Sequence, residues 1–188
     1  MRVRGLVTLT GVAGAGGAGA GLYLGLVTGA VTLDLGIGRR TRPLGPLEVT
    51  IEAPRQRVYD VATAPYAVRQ SRAMREKVQI LERGDGMVLA AHRTPIGGRL
   101  VATTTETVTF DPPQRIGFRL LRGPVPHVVE AFDLIEVDAG VTLLRYEGVL
   151  GADLWALGQR WASVVARSWE EAVRTSMAQV KAGAERRG

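Results

Sequence analysis

Cysteine is absent from the 188 residues, which excludes a disulfide framework, a thiolate metal site and a cysteine nucleophile. Asparagine is absent as well, so the chain has no N-glycosylation acceptor. Lysine occurs only at Lys77 and Lys181 beside abundant arginine, a codon-composition bias rather than a binding signature. Serine stands only at Ser71, Ser163, Ser168 and Ser176. None lies in a G-x-S-x-G context, so a nucleophile elbow is missing. Histidine is limited to His92 and His127, each read first as a hydrogen-bonded structural residue. Without His-x-x-x-His or a carboxylate-rich cluster, neither metal nor cofactor is expected.

What is present begins with a formal charge of +6 that is unevenly placed. Residues 1–42 hold Arg2, Arg4, Arg39, Arg40 and Arg42 against Asp34, leaving 19 basic and 17 acidic residues beyond them. A nearly neutral remainder lacks the one-sided basic face that phosphate binding needs, so nucleic acid is not an expected partner. The excess flanks an uncharged run from Gly5 to Leu33. As a helix this run exceeds the roughly 30 Å hydrocarbon core of a bilayer. It is therefore expected to be a single transmembrane anchor, residues 1–35. Arginine placement leans toward a cytoplasmic position for the rest of the chain. Gly17, Gly21, Gly25 and Gly29 recur at four, a small-residue groove through which two anchors could pair as a homodimer.

Two other readings of this run are weaker. Gly14 to Gly19 fits G-x-G-x-x-G with Asp34 downstream, but no alternating βα series continues from it. Cleavage after Ala18-Gly-Ala20 as a signal peptide would leave an apolar LYLGLVTGAVTL on the mature protein. Residues 36–46, rich in Gly, Pro and Arg, read as a linker at headgroup level.

From Leu47 onward the pattern is that of one domain, 47–188. Leu47, Val49 and Ile51 alternate as a half-buried strand, and Pro54 opens a short helix that Pro65 ends. Strand-like segments then succeed one another with turn chemistry between them: 78–82, 87–93, 100–110, 115–122, 127–137 and 141–150. Hairpin-length connections make the sheet antiparallel. The period then switches to three and four from Leu154 to Val180, with Asp153 available as N-cap. The fold class is α+β, with a helix of roughly 45 Å at 1.5 Å per residue lying on a six- to seven-stranded sheet.

The motifs I-E-A-P-x-x-x-V-Y-D at 51–60, F-D-P-P-x-R-I-G-F at 110–118, R-G-P-V-P-H-V-V-E-x-F at 122–132 and G-V-T-L-x-x-Y-E-G-x-L at 140–150 resemble the START/polyketide-cyclase superfamily. This is the SRPBCC, or Bet v 1-like, helix-grip fold. The resemblance covers about 47–188. It implies a curved sheet gripping the terminal helix around an apolar cavity for lipids, sterols or polyketides. Many members only bind, and some catalyse cyclisation or dehydration.

Strand alternation points Ile116, Phe118 and Leu120 inward, and likewise Leu144, Tyr146 and Gly148. Both faces of 127–137 are apolar, and only the resemblance favours Val128, Glu130, Phe132 and Leu134. Gly148 should leave space beneath the helix. Trp161, with Leu157, Val164 and Val165, is expected to roof the cavity, while Trp155 packs at an edge. Phe118, Leu120, Phe132, Tyr146, Gly148, Leu157, Trp161 and Val165 are thus the candidate ligand-binding residues. Glu106 and Glu130 sit mid-strand among apolar residues and are the weak catalytic candidates. Desolvation would raise their pKa, although pairing with arginines on neighbouring strands is the simpler account. The leading functional expectation is a membrane-tethered carrier or sensor of a lipid or other apolar small molecule, non-catalytic on balance. The alternatives are a cyclase- or dehydratase-like enzyme using general acid/base carboxylates, and a protein-interaction module.

Overall fold

A computed structural model describes residues 10–96 and 100–186. Helix α1 spans Thr10–Val27 and strand β1 spans Arg40–Ile51. Helix α2 (Arg55–Thr63), a 3-10 turn (Ala64–Tyr66) and helix α3 (Arg72–Lys77) come next. The strands β2 (Val78–Gly84), β3 (Met87–Ile96), β4 (Leu100–Asp111), β5 (Arg115–Arg122), β6 (His127–Asp138) and β7 (Val141–Ala152) precede the terminal helix α4 (Trp155–Glu185).

The seven strands form one antiparallel sheet in the order β1-β7-β6-β5-β4-β3-β2. Alternation decides which face is covered. Ile116 and Leu120 on β5, Val128 and Leu134 on β6, and Leu144, Tyr146 and Leu150 on β7 are all buried. Residues such as Arg119 and Glu147 between them stay exposed. Fully burying an aliphatic side chain of this size contributes about 1.5–3 kcal/mol, so the inner face holds the sheet to the helix. On α4 the matching stripe is Gly158, Ala162, Val165, Ala166, Val173 and Met177, recurring at three and four. Gly158 is required there, because a Cβ would stand 1.6 Å from the carbonyl oxygen of Asp153. The helix packs chiefly on β1, β7 and α2. At its far end Lys181 Nζ donates to the carbonyl of Thr50 at 2.6 Å, and Glu185 accepts from the Glu52 amide at 2.9 Å.

The N-terminal third departs from expectation. β1 begins at Arg40 instead of Leu47, so most of the expected linker is a strand paired with β7 from Arg40↔Ala152 onward. The expected anchor is not one continuous helix either: α1 stops at Val27, and Thr28 to Gly38 lies as a strap across one end of the sheet. The Thr103 amide donates to the Thr28 carbonyl at 2.9 Å, and Thr32 Oγ1 exchanges hydrogen bonds with both the amide and the carbonyl of Gly123. The helix ends where Gly29 takes φ 69° and the Val31 amide turns back to the Gly25 carbonyl at 2.9 Å, a glycine-closed helix C-terminus. Residues 5–9 of the uncharged run lie outside the described residues. Among those described, no helix is long and apolar enough to cross a membrane.

The glycine groove is likewise not a free face. A Cβ at Gly25 would stand 2.9 Å from Val31, and one at Gly29 would stand 2.3 Å from the Thr103 carbonyl oxygen. Of Gly21, Gly25 and Gly29, only Gly21 has open space around it.

Asp153 does not cap α4. Leu154 occupies the cap position with φ 72°, and no side chain closes the turn. Asp153 is buried and accepts from the Leu35 and Gly36 amides at 2.7 Å each and from Arg39 Nε at 2.7 Å. Those donors hold its carboxyl below the ordinary carboxylate range, the Arg39 hydrogen bond being the largest cause. It is the latch of the strap.

Candidate ligand-binding site

Phe118, Phe132 and Tyr146 stand side by side on β5, β6 and β7, because register places Phe132 opposite Tyr146 and Glu130 opposite Phe118. Their ring centroids are 5.8 Å and 5.2 Å apart. Tyr66, from the 3-10 turn, extends the run by packing 6.3 Å from Phe118 and 5.6 Å from Phe110. Edge-to-face and tilted aromatic pairs at these separations are favourable beyond their area burial. The inner face therefore carries a continuous aromatic lane.

Two carboxyl groups sit in that lane. Glu130 Oε2 accepts a short hydrogen bond from the Tyr146 hydroxyl and one at 2.7 Å from Trp169 Nε1 on α4. Burial pushes its pKa up to about 8, with the negative charge of Glu106 adding to the rise and the two donors opposing it. At neutral pH Glu130 is predominantly a neutral acid, with Oε2 taking both donors and Oε1 free of them. Burial also raises Tyr146, and the neighbouring Glu130 charge adds to that.

Glu106 heads a second group. His92 Nδ1 lies 3.2 Å from Glu106 Oε2, close enough for an ion pair but outside hydrogen-bond alignment. His92 Nε2 is 2.9 Å from the Tyr66 hydroxyl. Burial holds Tyr66 well above its ordinary range, helped by the charges of Glu106 and then Glu130. Tyr66, His92 and Glu106 thus form a second polar group beside Glu130, joined by one hydrogen bond and one close approach.

Among the described residues neither carboxyl pairs with an arginine, contrary to the simpler expectation. The outward-facing Asp133 takes Arg115 at 2.7 Å, and an inward glutamate lies on the wrong side of the strand to reach it. Phe118, Leu120, Phe132, Tyr146 and Val165 face the interior as expected. Leu157 and Val164 do not: they are 68% and 53% exposed. The buried stripe centres near Trp169, and at about 100° per residue Leu157 and Val164 fall on the far side of the helix. Trp161 is half-buried at the margin of the stripe. Its Nε1 donates to the Pro124 carbonyl at 2.7 Å, and Tyr23 of α1 packs 6.2 Å away.

Trp169 is therefore the tryptophan that meets the site, and Trp161 belongs to the end wall. Trp155 stands 55% exposed beside the strap. Sequence reasoning missed Tyr66, His92 and Trp169 as a set. The one available signal was the position of Trp169, one turn past Val165 and four residues before Val173. His127 falls on the opposite alternation from Glu130, near Gly151. Among the described residues no cluster of His, Asp and Glu converges as metal ligands would.

Gly148 leaves no space beneath the helix. A Cβ there would meet Glu130 Cβ at 2.6 Å and the Val129 carbonyl oxygen at 2.9 Å, so the glycine admits the close approach that seats Glu130. Gly148→Ala should cost about 1–3 kcal/mol by overpacking, read from urea unfolding, and weaken the Glu130–Trp169 contact, read from Trp fluorescence.

At the Tyr66 end of the lane an open concavity of about 310 Å³ is lined by Tyr59, Asp60, Thr63, Ala64, Tyr66, Ala67 and Phe110. A larger hollow of about 610 Å³ lies among Arg55, Arg115, Asp133, Glu136, Arg145 and Glu147. Its charged walls suit solvent, not an apolar ligand, and only the smaller one touches the lane, at Tyr66 and Phe110.

No family model matches the sequence, and no curated protein matches it. Solved structures do match. The Zhui aromatase/cyclase from Streptomyces sp. R1128 is 22% identical with a TM-score of 0.62, over 79% of this chain and 95% of that one. The di-domain aromatase/cyclase BexL from the BE-7585A biosynthetic pathway is 20% identical with a TM-score of 0.61, over 80% of this chain. The match covers 52% of BexL, so this chain corresponds to about half of it. Truncated norcoclaurine synthase from Thalictrum flavum is 11% identical with a TM-score of 0.60, over 80% of this chain and 98% of that one. The sheet order, the long terminal helix and these three structures together show that the chain has the helix-grip fold shared by polyketide aromatase/cyclases and Bet v 1-like proteins.

Proposed function

We propose that the protein binds a lipid or other apolar, ring-sized small molecule between its sheet and its terminal helix, and that the N-terminal segment tethers it to a membrane. The observation that carries the binding reading is the aromatic lane Tyr66–Phe118–Phe132–Tyr146, with the neutral acid of Glu130 set within it. Aromatic walls with few, fixed polar groups are the composition of a small-molecule site. The tether rests on the part of the uncharged run that precedes the strap, residues 5–27, and on the arginines flanking the run, whose balance favours a domain on the cytoplasmic side. Native mass spectrometry of the full chain extracted in detergent should show a co-purifying small molecule. A ligand-free spectrum, with no uptake from a panel of fatty acids, sterols and aromatic polyketides, would refute the binding reading.

A second reading, an acid/base enzyme of the cyclase or dehydratase type, is favoured by the raised pKa of Glu130. An acid that stays protonated to about pH 8 is matched to proton donation at neutral pH. Incubation with a linear aromatic polyketide precursor separates the two: a carrier returns it unchanged with or without Glu130→Gln, whereas an enzyme cyclises it and loses that turnover, but not binding, in the variant.

A further inference from the structure

The strapped end of the molecule differs in chemistry from the rest of the surface. It collects the strap, the β5–β6 loop, the start of β1 and the first turns of α4. Large apolar side chains are exposed there on separate segments: Leu22, Val31, Leu35, Ile37, Trp155 and Leu157. They are drawn together by main-chain bonds, since the amides of Leu154 and Trp155 donate to the carbonyls of Ile37 and Gly38 at 2.9 Å each. Leu154 and Trp155 hold φ of 72° and 49°. For residues other than glycine, left-handed backbone is disfavoured and needs surrounding structure to impose it. The imposed turn points a tryptophan outward, the reverse of what a folding core would select.

Charge follows the same division. Arg40, Arg93, Arg122 and Arg160 are exposed at this end. The acidic groups there, Asp34 and Asp153, are both taken by Arg39. The opposite end is mixed, with Asp85, Asp111 and Asp138 at its hairpin turns beside Arg83 and Arg115. An apolar centre with an aromatic at its rim and a basic surround is the composition of a surface that sits on anionic lipid. The uncharged α1 joins the domain at this same end, through Tyr23 on Trp161.

We infer that this end is a seat for an anionic bilayer, with Trp155 and Leu157 at headgroup depth and Arg40, Arg93, Arg122 and Arg160 over lipid phosphates. The inference deepens the tether reading by naming which surface meets lipid. It leaves the concavity beside Tyr66 and Phe110, at the other end of the sheet, facing water.

The absence of cysteine allows a single reporter. Full-length Leu157→Cys and Asp138→Cys, each labelled with nitrobenzoxadiazole, are mixed with vesicles of phosphatidylcholine and phosphatidylglycerol, or of phosphatidylcholine alone. The expected result is a blue shift at 157 and none at 138, stronger with phosphatidylglycerol. Arg40→Gln combined with Arg160→Gln should weaken vesicle affinity about 30-fold, at about 1 kcal/mol per basic residue near the surface. Neither arginine makes a side-chain hydrogen bond or ion pair among the described residues, so the variant should fold. Flotation without a shift at 157 overturns the seat and leaves the tether standing. A shift that washes out in high salt upholds the seat and removes the tether. A lipid-independent shift that grows with protein concentration assigns the face to a second copy and overturns the inference, as does absence of both flotation and shift.

Discussion

The unfolding free energy of the protein should fall as pH rises from about 4.5 to about 8, the window set by the raised pKa of Glu130. The sign comes from proton counts. In that window the unfolded chain has released the Glu130 proton while the folded protein still holds it, so raising pH favours the unfolded state. A shift of that size corresponds to at most about 5 kcal/mol, and relaxation of the site on ionisation reduces it. Glu130→Gln keeps an acceptor for Tyr146 and Trp169 but cannot ionise, so its stability should be flat across the same window and should exceed that of the natural protein on the alkaline side. Urea unfolding at several pH values measures both slopes. Equal slopes would mean that Glu130 ionises normally in the folded state, and its role as a neutral acid would go with it. Asp153 and Glu185 do not confuse the result. Both are held below the ordinary range, so their stabilisation is complete above the unfolded carboxylate pKa and is lost only in acid.

Asp153→Ala should release the strap at a cost of about 1–3 kcal/mol, the usual penalty for leaving buried hydrogen-bond donors without a partner. The variant strands the Leu35 and Gly36 amides, which the carboxylate now satisfies, while Arg39 keeps Asp34 as its partner. Hydrogen exchange is the appropriate readout, because the loss is local. Protection should collapse at the amides of Leu35, Gly36, Leu154 and Trp155 and persist at Tyr146 in the sheet interior. Acid should mimic the substitution in the natural protein. Protection of those four amides is expected to survive past the ordinary aspartate pKa and to vanish as pH falls through the depressed value of Asp153. If protection stays intact in Asp153→Ala, the main-chain bonds from Ile37 and Gly38 hold the strap by themselves.

Much of the sheet was legible in the sequence because alternation has a period of two and its inner set is apolar. Ile116, Phe118 and Leu120, and Leu144 and Tyr146, face where their spacing places them, and the turns at Gly86 and Gly140 come where glycine stands. The terminal helix was legible as an element, but its phase was not. With apolar residues almost all the way round its first three turns, a period of 3.6 selects no unique stripe. Small residues, Gly158, Ala162 and Ala166, mark the contact because close approach to β1 and β7 excludes larger ones.

The candidate site divided in the same way. Glu106 and Glu130 could be singled out as carboxylates among apolar neighbours, a local property. Their partners could not, because Tyr66, His92, Tyr146 and Trp169 come from four separate elements, and nothing local in sequence says which will converge. The strap shows the same limit most plainly. By itself the sequence determined an uncharged, glycine-rich run bounded by arginines. Only the tertiary structure decided that its C-terminal part folds back on the domain. Its carbonyls and amides find partners in Thr103 and Asp153 and its Thr32 hydroxyl finds Gly123, and the bonds from Thr32 to Gly123 and from Leu35 to Asp153 span 91 and 118 residues of sequence.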